Sequence, residues 1–170
     1  MANKVLCRIG GIISIISVFL PIFSFTYFDR IQEADVIVYY WMFGQIVSIS
    51  QDANAEFPVE FYFQNLDFLG TICMMLIIIG AMLVIMNSDG VSNAGLLGGI
   101  LIILIIFLYV GITNSRYYYL FYSEYLWYMI QYEEAQINLS YGFYVALIGG
   151  FTSIGGSIIP KRKKSSNNGE

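Results

Sequence analysis

The sequence predicts an all-α membrane protein: a four-transmembrane-helix bundle, N-in/C-in, with a small extracytoplasmic antiparallel β-sheet from the first outer loop. Three observations predict it. The chain has 170 residues, 58% of them hydrophobic and only 12% charged, where a soluble domain carries about a quarter charged residues. The apolar residues gather in four long runs without a polar face. Most basic residues cluster at the two ends of the chain, and all acidic ones but Glu170 lie between the runs.

A membrane-spanning helix needs roughly 20 predominantly apolar residues. Four stretches qualify: Val5–Phe25, Phe68–Met86, Ala94–Ile112 and Tyr141–Ile159. Arg8 is the single charge within them, and it lies near enough to the start of the first run to snorkel to the headgroups. Lys4 and Arg8 give that run the basic start of a signal peptide. The run is long for a signal, however, and no small-residue cleavage site follows it, so a retained helix is expected.

Orientation follows from the placement of basic residues. Lys4 and Arg8 open the first run, and Lys161, Arg162, Lys163 and Lys164 follow the fourth. The two long connections hold only Arg30 and Arg116 as bases, against Asp29, Glu33, Asp35, Asp52, Glu56, Glu60, Asp67, Glu124, Glu133 and Glu134. Both termini are therefore expected in the cytoplasm, with outer loops at 26–67 and 113–140 and a tight inner turn, "NSDGVSN", around Asp89-Gly90. Residues 1–160 read as one transmembrane domain and 161–170 as a basic cytoplasmic tail. The four consecutive bases of that tail attract anionic lipid headgroups, at roughly 1 kcal/mol each.

The first outer loop carries strand signals. "DVIVYYWMFGQIVSIS" is rich in β-branched and aromatic residues and is interrupted at Gly44 and Gln45. In "VEFYFQ", Val59, Phe61 and Phe63 alternate with Glu60, Tyr62 and Gln64, the period of two of a half-buried strand. A sheet of two or three strands over the outer helix ends is expected.

The second outer loop contains "RYYYLFYSEYLWYMIQYEE", residues 116–134. Its aromatic residues recur at helical spacing and favour the headgroup level, where the ring stays apolar and the hydroxyl or N–H stays wet. Tyr and Trp also dominate protein-binding hot spots. Trp41, Phe43, Tyr122, Tyr125, Trp127 and Tyr128 are accordingly the expected interaction aromatics.

Lipid gives no hydrophobic drive between helices, so close packing needs small residues. Gly10 and Ser14 in the first run, Gly95 and Gly99 in the third, and Gly149, Ser153 and Gly156 in the fourth are the expected packing positions. Contact of the first helix with the fourth is the favoured use, and homodimerisation is the alternative.

The sequence holds no His, which removes the commonest general base and metal ligand. No acid, base or amide lies deep in an apolar run, and no nucleophile with an adjacent base or phosphate-binding loop is present. Neither enzymatic activity nor a cofactor is expected. Asp52, Asn54 and Glu56 alternate like the start of a calcium loop, but Phe57 and Phe63 occupy the places of its glycine and closing acid. Asn138-Leu139-Ser140 matches an N-glycosylation acceptor on the outer side. Cys7 and Cys73 fall in apolar runs, so no loop disulfide is available. Membrane lipids, other membrane proteins or a second copy are the expected partners, and nucleic acid is not.

Four spans, inner termini, a larger β-forming first outer loop and a smaller second one resemble the claudin and peripheral-myelin-protein class. "WMFG", Trp41 to Gly44, is faintly similar to the W-G-L-W motif of claudins. The resemblance is one of topology. The loop cysteine pair of claudins is not present, and no functional residue carries over. It implies an interaction, adhesion or scaffold protein acting through its outer loops. A pore-forming or accessory subunit of a transport complex is the alternative.

Overall fold

A computed structural model describes residues 2–29, 34–50, 59–63, 68–87, 93–113 and 136–159. Along the chain these form α1 (Ala2–Val18), β1 (Phe23–Asp29), β2 (Ala34–Tyr40), β3 (Gln45–Ser50), β4 (Val59–Phe63), α2 (Phe68–Asn87), α3 (Ala94–Thr113), β5 (Gln136–Leu139) and α4 (Tyr141–Ile158). Three of the helices, α2, α3 and α4, are long and apolar enough to cross a membrane.

The first apolar run does not stay helical to Phe25, as its composition predicts. α1 stops at Val18 after 17 residues, and Pro21 explains why. Proline lacks the N–H that a continuing helix needs, and it pushes the residue before it out of the helical region. The last turn tightens first: the Phe19 N–H donates to the Ile16 carbonyl at 3.0 Å and the Leu20 N–H to Ser17 at 3.2 Å. Phe23–Asp29 starts inside the apolar run, continues beyond its end and forms a strand.

The sheet is larger than the expected two or three strands. It has five, in the order β4-β3-β2-β1-β5, and all four pairings are antiparallel. β1 lies between β2 and the edge strand β5, with Phe23 opposite both Tyr40 of β2 and Leu139 of β5. Alternate residues Phe23, Phe25, Val36, Val38, Tyr40 and Ile46 are 4% exposed or less. They join one core with the helices, and the Phe23 ring lies 6.0 Å from that of Tyr109 on α3.

The sheet is tied to one end of the helices. The Ile22 N–H donates to Tyr40 (2.8 Å), the Ser140 N–H to Ile22 (2.9 Å) and the Gly142 N–H to Pro21 (2.8 Å). These bonds gather the exit of α1, the end of β2 and the start of α4 at one place. Each helix packs on two neighbours, in the cyclic order α1–α2–α3–α4.

The helices are apolar outside, and their interior mixes small and hydroxyl residues with buried aliphatics such as Ile77, Ile102 and Ile106. α1 exposes Val5, Ile9, Ile12 and Ile16, the turn after it exposes Phe19, and α2 exposes Phe68, Ile72, Met75, Ile79, Met82 and Met86. α3 exposes Leu97, Ile100, Leu104, Phe107 and Leu108, and α4 exposes Tyr141, Tyr144, Ile148, Phe151 and Ile158. The hydroxyl residues Ser14, Ser17 and Ser153 are buried.

Candidate interaction surface and helix-packing site

α1 and α4 meet along a seam of glycine and serine. A Cβ on Gly10 would stand 2.8 Å from the Ser153 backbone nitrogen, one on Gly149 2.9 Å from that of Ser14, and one on Gly156 2.9 Å from that of Cys7. Backbones this close leave no room for a larger residue. Each serine hydroxyl is satisfied within its own helix: Ser14 Oγ donates to the Gly10 carbonyl at 2.9 Å, and Ser153 Oγ to that of Gly149 at 2.7 Å. Such back-bonding keeps a hydroxyl in an apolar medium without an orphaned donor. Gly10, Ser14, Gly149, Ser153 and Gly156 thus come together in one contact.

The other two expected glycines belong elsewhere. Gly99 faces α4, where its Cβ would lie 3.0 Å from the Gly150 carbonyl oxygen. Gly95 is buried in the first turn of α3. Small residues of the second run, Gly80 among them, also suit close packing, but the sequence does not single out the partner Gly98 in the α2–α3 contact, where a Cβ on Gly98 would meet the Gly80 carbonyl oxygen and lie 3.1 Å from the Val84 nitrogen. Its signal in the second run was the small pair Gly80-Ala81 amid bulky aliphatics.

Cys7 and Cys73 are both buried thiols. Cys7 Sγ lies 3.6 Å from Ser157 Oγ and 3.9 Å from the Ser153 carbonyl, as part of the α1–α4 seam.

At the sheet end, Trp41 and Phe43 sit in the turn between β2 and β3. The Trp41 N–H donates to the Gln45 carbonyl and the Gly44 N–H to that of Trp41, both at 2.9 Å. Gly44 takes a φ of 92°, which a side chain resists. The Trp41 indole Nε1–H donates to the Phe19 carbonyl at 3.0 Å. It thereby satisfies one of the carbonyls left open where α1 ends. Met42 is buried, and Trp41 and Phe43 are half-buried.

Tyr122, Tyr125, Trp127 and Tyr128 lie outside the described residues, as do Lys161, Arg162, Lys163 and Lys164 and the alternating Asp52, Asn54 and Glu56. Asn138 of the glycosylation motif is exposed on β5 opposite Ser24. Ser140 of the same motif is buried, at 6%. Among the described residues, no three His, Cys, Asp or Glu side chains come together to hold a metal ion.

No protein-family model matches the chain, and no curated protein matches it.

Proposed function

We propose that the chain is a non-enzymatic four-span membrane protein, N-in/C-in, that acts through its outer sheet and loops as a claudin-like interaction or scaffold protein. The observation that carries this reading is the apolar outer surface of all four helices, crowned at one end by the sheet. In water so much contiguous apolar surface marks an interaction or membrane face, and in lipid it is the ordinary exterior of a bundle.

α1 is the fourth span. It is shorter than the others, at about 26 Å for 17 residues, but it packs between α2 and α4 and carries the same outward ridge. Lys4 and Arg8 lie at its end away from the sheet, so basic residues on the cytoplasmic side put the sheet outside. The sheet and the loops that join it are then the part of the chain offered to other proteins.

A paired experiment tests the role. The purified protein in liposomes should be electrically silent. A tagged copy in mild detergent should retain a membrane partner or a second copy of itself, and Asp35→Lys on the exposed start of β2 should weaken that retention without lowering thermal stability. Cation conductance from the protein alone, abolished by neutralising Asp29, Glu33 and Asp35, would replace this reading with transport.

A further inference from the structure

The two rims of the sheet differ in chemistry. On the rim away from the helices, the strand ends Asp29, Ala34, Ser50 and Val59 lead into sequence that carries Arg30, Glu33, Asp52 and Glu56. On the rim beside the helices, the β2–β3 turn is Trp41-Met42-Phe43-Gly44, with no charge and no side-chain hydroxyl or amide. Turns ordinarily gather Gly, Pro, Asn, Asp and Ser for reasons of backbone geometry and side-chain hydrogen bonding. This one keeps only the glycine that its φ of 92° requires.

Trp41 and Phe43 of this turn are half-buried and Met42 is buried, and the turn lies at the helix end where the outward apolar ridges stop. The α1 ridge ends on Phe19, which is 68% exposed, and Phe68 and Tyr141, the first residues of α2 and α4, are 74% and 68% exposed at the same end. Trp41 joins this level through its bond to the Phe19 carbonyl. That bond matters physically. A buried N–H without a partner costs free energy, whereas an indole whose N–H is already satisfied can lie where water is scarce. Tryptophan also favours the boundary between hydrocarbon and headgroups.

We propose that the Trp41–Gly44 turn is a lipid-binding element, lying in the headgroup layer beside the end of α1 and holding the sheet down on the bilayer. The partner is the lipid of the leaflet that α1 reaches at Phe19, and the strand ends Asp29, Ala34, Ser50 and Val59 lie at the opposite rim of the sheet. The proposal rests on the membrane reading above and goes beyond it by assigning a depth and a ligand class to this turn.

Trp127→Phe leaves Trp41 as the sole tryptophan, excited selectively at the red edge where tyrosine does not absorb. In phosphatidylcholine vesicles, brominated lipid labelled near the headgroup should quench Trp41 more strongly than lipid labelled near the chain ends, and aqueous iodide should quench it little. A control places Leu104→Trp in a Trp41→Phe, Trp127→Phe background. Leu104 is 62% exposed near the middle of α3, so its replacement should be quenched best by the deep label. Strong iodide quenching of Trp41 with little loss to either lipid label, while the control responds to the deep label, overturns the lipid-binding turn and leaves the membrane reading intact. Equal or stronger quenching of Trp41 by the deep label also overturns the proposed depth. A control untouched by both labels removes the membrane reading, and this proposal with it.

Discussion

A Cβ on Gly149 would lie 2.9 Å from the backbone nitrogen of Ser14, with the Gly10 carbonyl oxygen 3.0 Å away. The obstacles include backbone, which cannot swing aside as the end of a flexible side chain can. Gly149→Leu should therefore destabilise the protein by more than the ~1–3 kcal/mol typical of overpacking. Gly155 on the same helix has nothing within 4 Å of its Cβ position, and Gly155→Leu should stay within about 0.5 kcal/mol of the parent. Thermal unfolding in mild detergent compares the two, and equal melting temperatures would mean that α1 and α4 do not meet at this distance.

Burial along α3 gives a second contrast. Ile102 is 0% exposed and Leu104 62% exposed. Ile102→Ala should lower stability by about 2–5 kcal/mol, from lost contacts and the cavity left behind. Leu104→Ala should cost clearly less, because its side chain lies on the outer surface. The same detergent melts read both.

The β2–β3 turn has its own signature. Trp41→Phe keeps the aromatic bulk but loses the donor to the Phe19 carbonyl, a loss of about 1 kcal/mol. Gly44→Ala should also destabilise, because its φ of 92° is disfavoured for an L side chain. Protection of the Trp41 and Gly44 amides, followed by hydrogen exchange, should fall in both variants while that of α2 is retained.

Neither native thiol should react in the folded state. Cys7 is 1% exposed and Cys73 2%. Maleimide added to the protein in mild detergent should label neither, and denaturant should expose both. Rapid labelling of Cys7 before unfolding would contradict the close α1–α4 seam in which it sits.

The sequence reveals some of this architecture for clear physical reasons. α2, α3 and α4 fall within a residue or so of the apolar runs Phe68–Met86, Ala94–Ile112 and Tyr141–Ile159, because an uninterrupted apolar run of that length has few other uses. β4 shows in the alternation around Val59 and Phe61. The end of α1 does not show in apolarity, since Ile22, Phe23 and Phe25 are as apolar as a lipid-facing helix yet belong to the link and strand beside the sheet core. Pro21 was the one local mark of the change. β5 is hidden for another reason. Its four residues, "QINL", pair with β1 more than a hundred positions earlier and carry little local preference. The facing of residues such as Ile102 is equally illegible, because a helix apolar all round has no amphipathic phase to read. Among the site residues, the small-residue spacing pointed to Gly10, Ser14, Gly149, Ser153 and Gly156, which meet in one seam, while the bond from Trp41 to Phe19 depends on a turn folding back on a helix end.

The orientation of the bundle is the claim on which the functional reading rests, and cysteine accessibility tests it most directly. Asn54→Cys lies in the connection between β3 and β4, and Ser166→Cys in the basic tail. With the native thiols buried, a membrane-impermeant maleimide should label Asn54→Cys in intact cells and Ser166→Cys only after permeabilisation. Labelling of Ser166→Cys in intact cells, with Asn54→Cys protected until permeabilisation, would put the sheet in the cytoplasm and contradict the account.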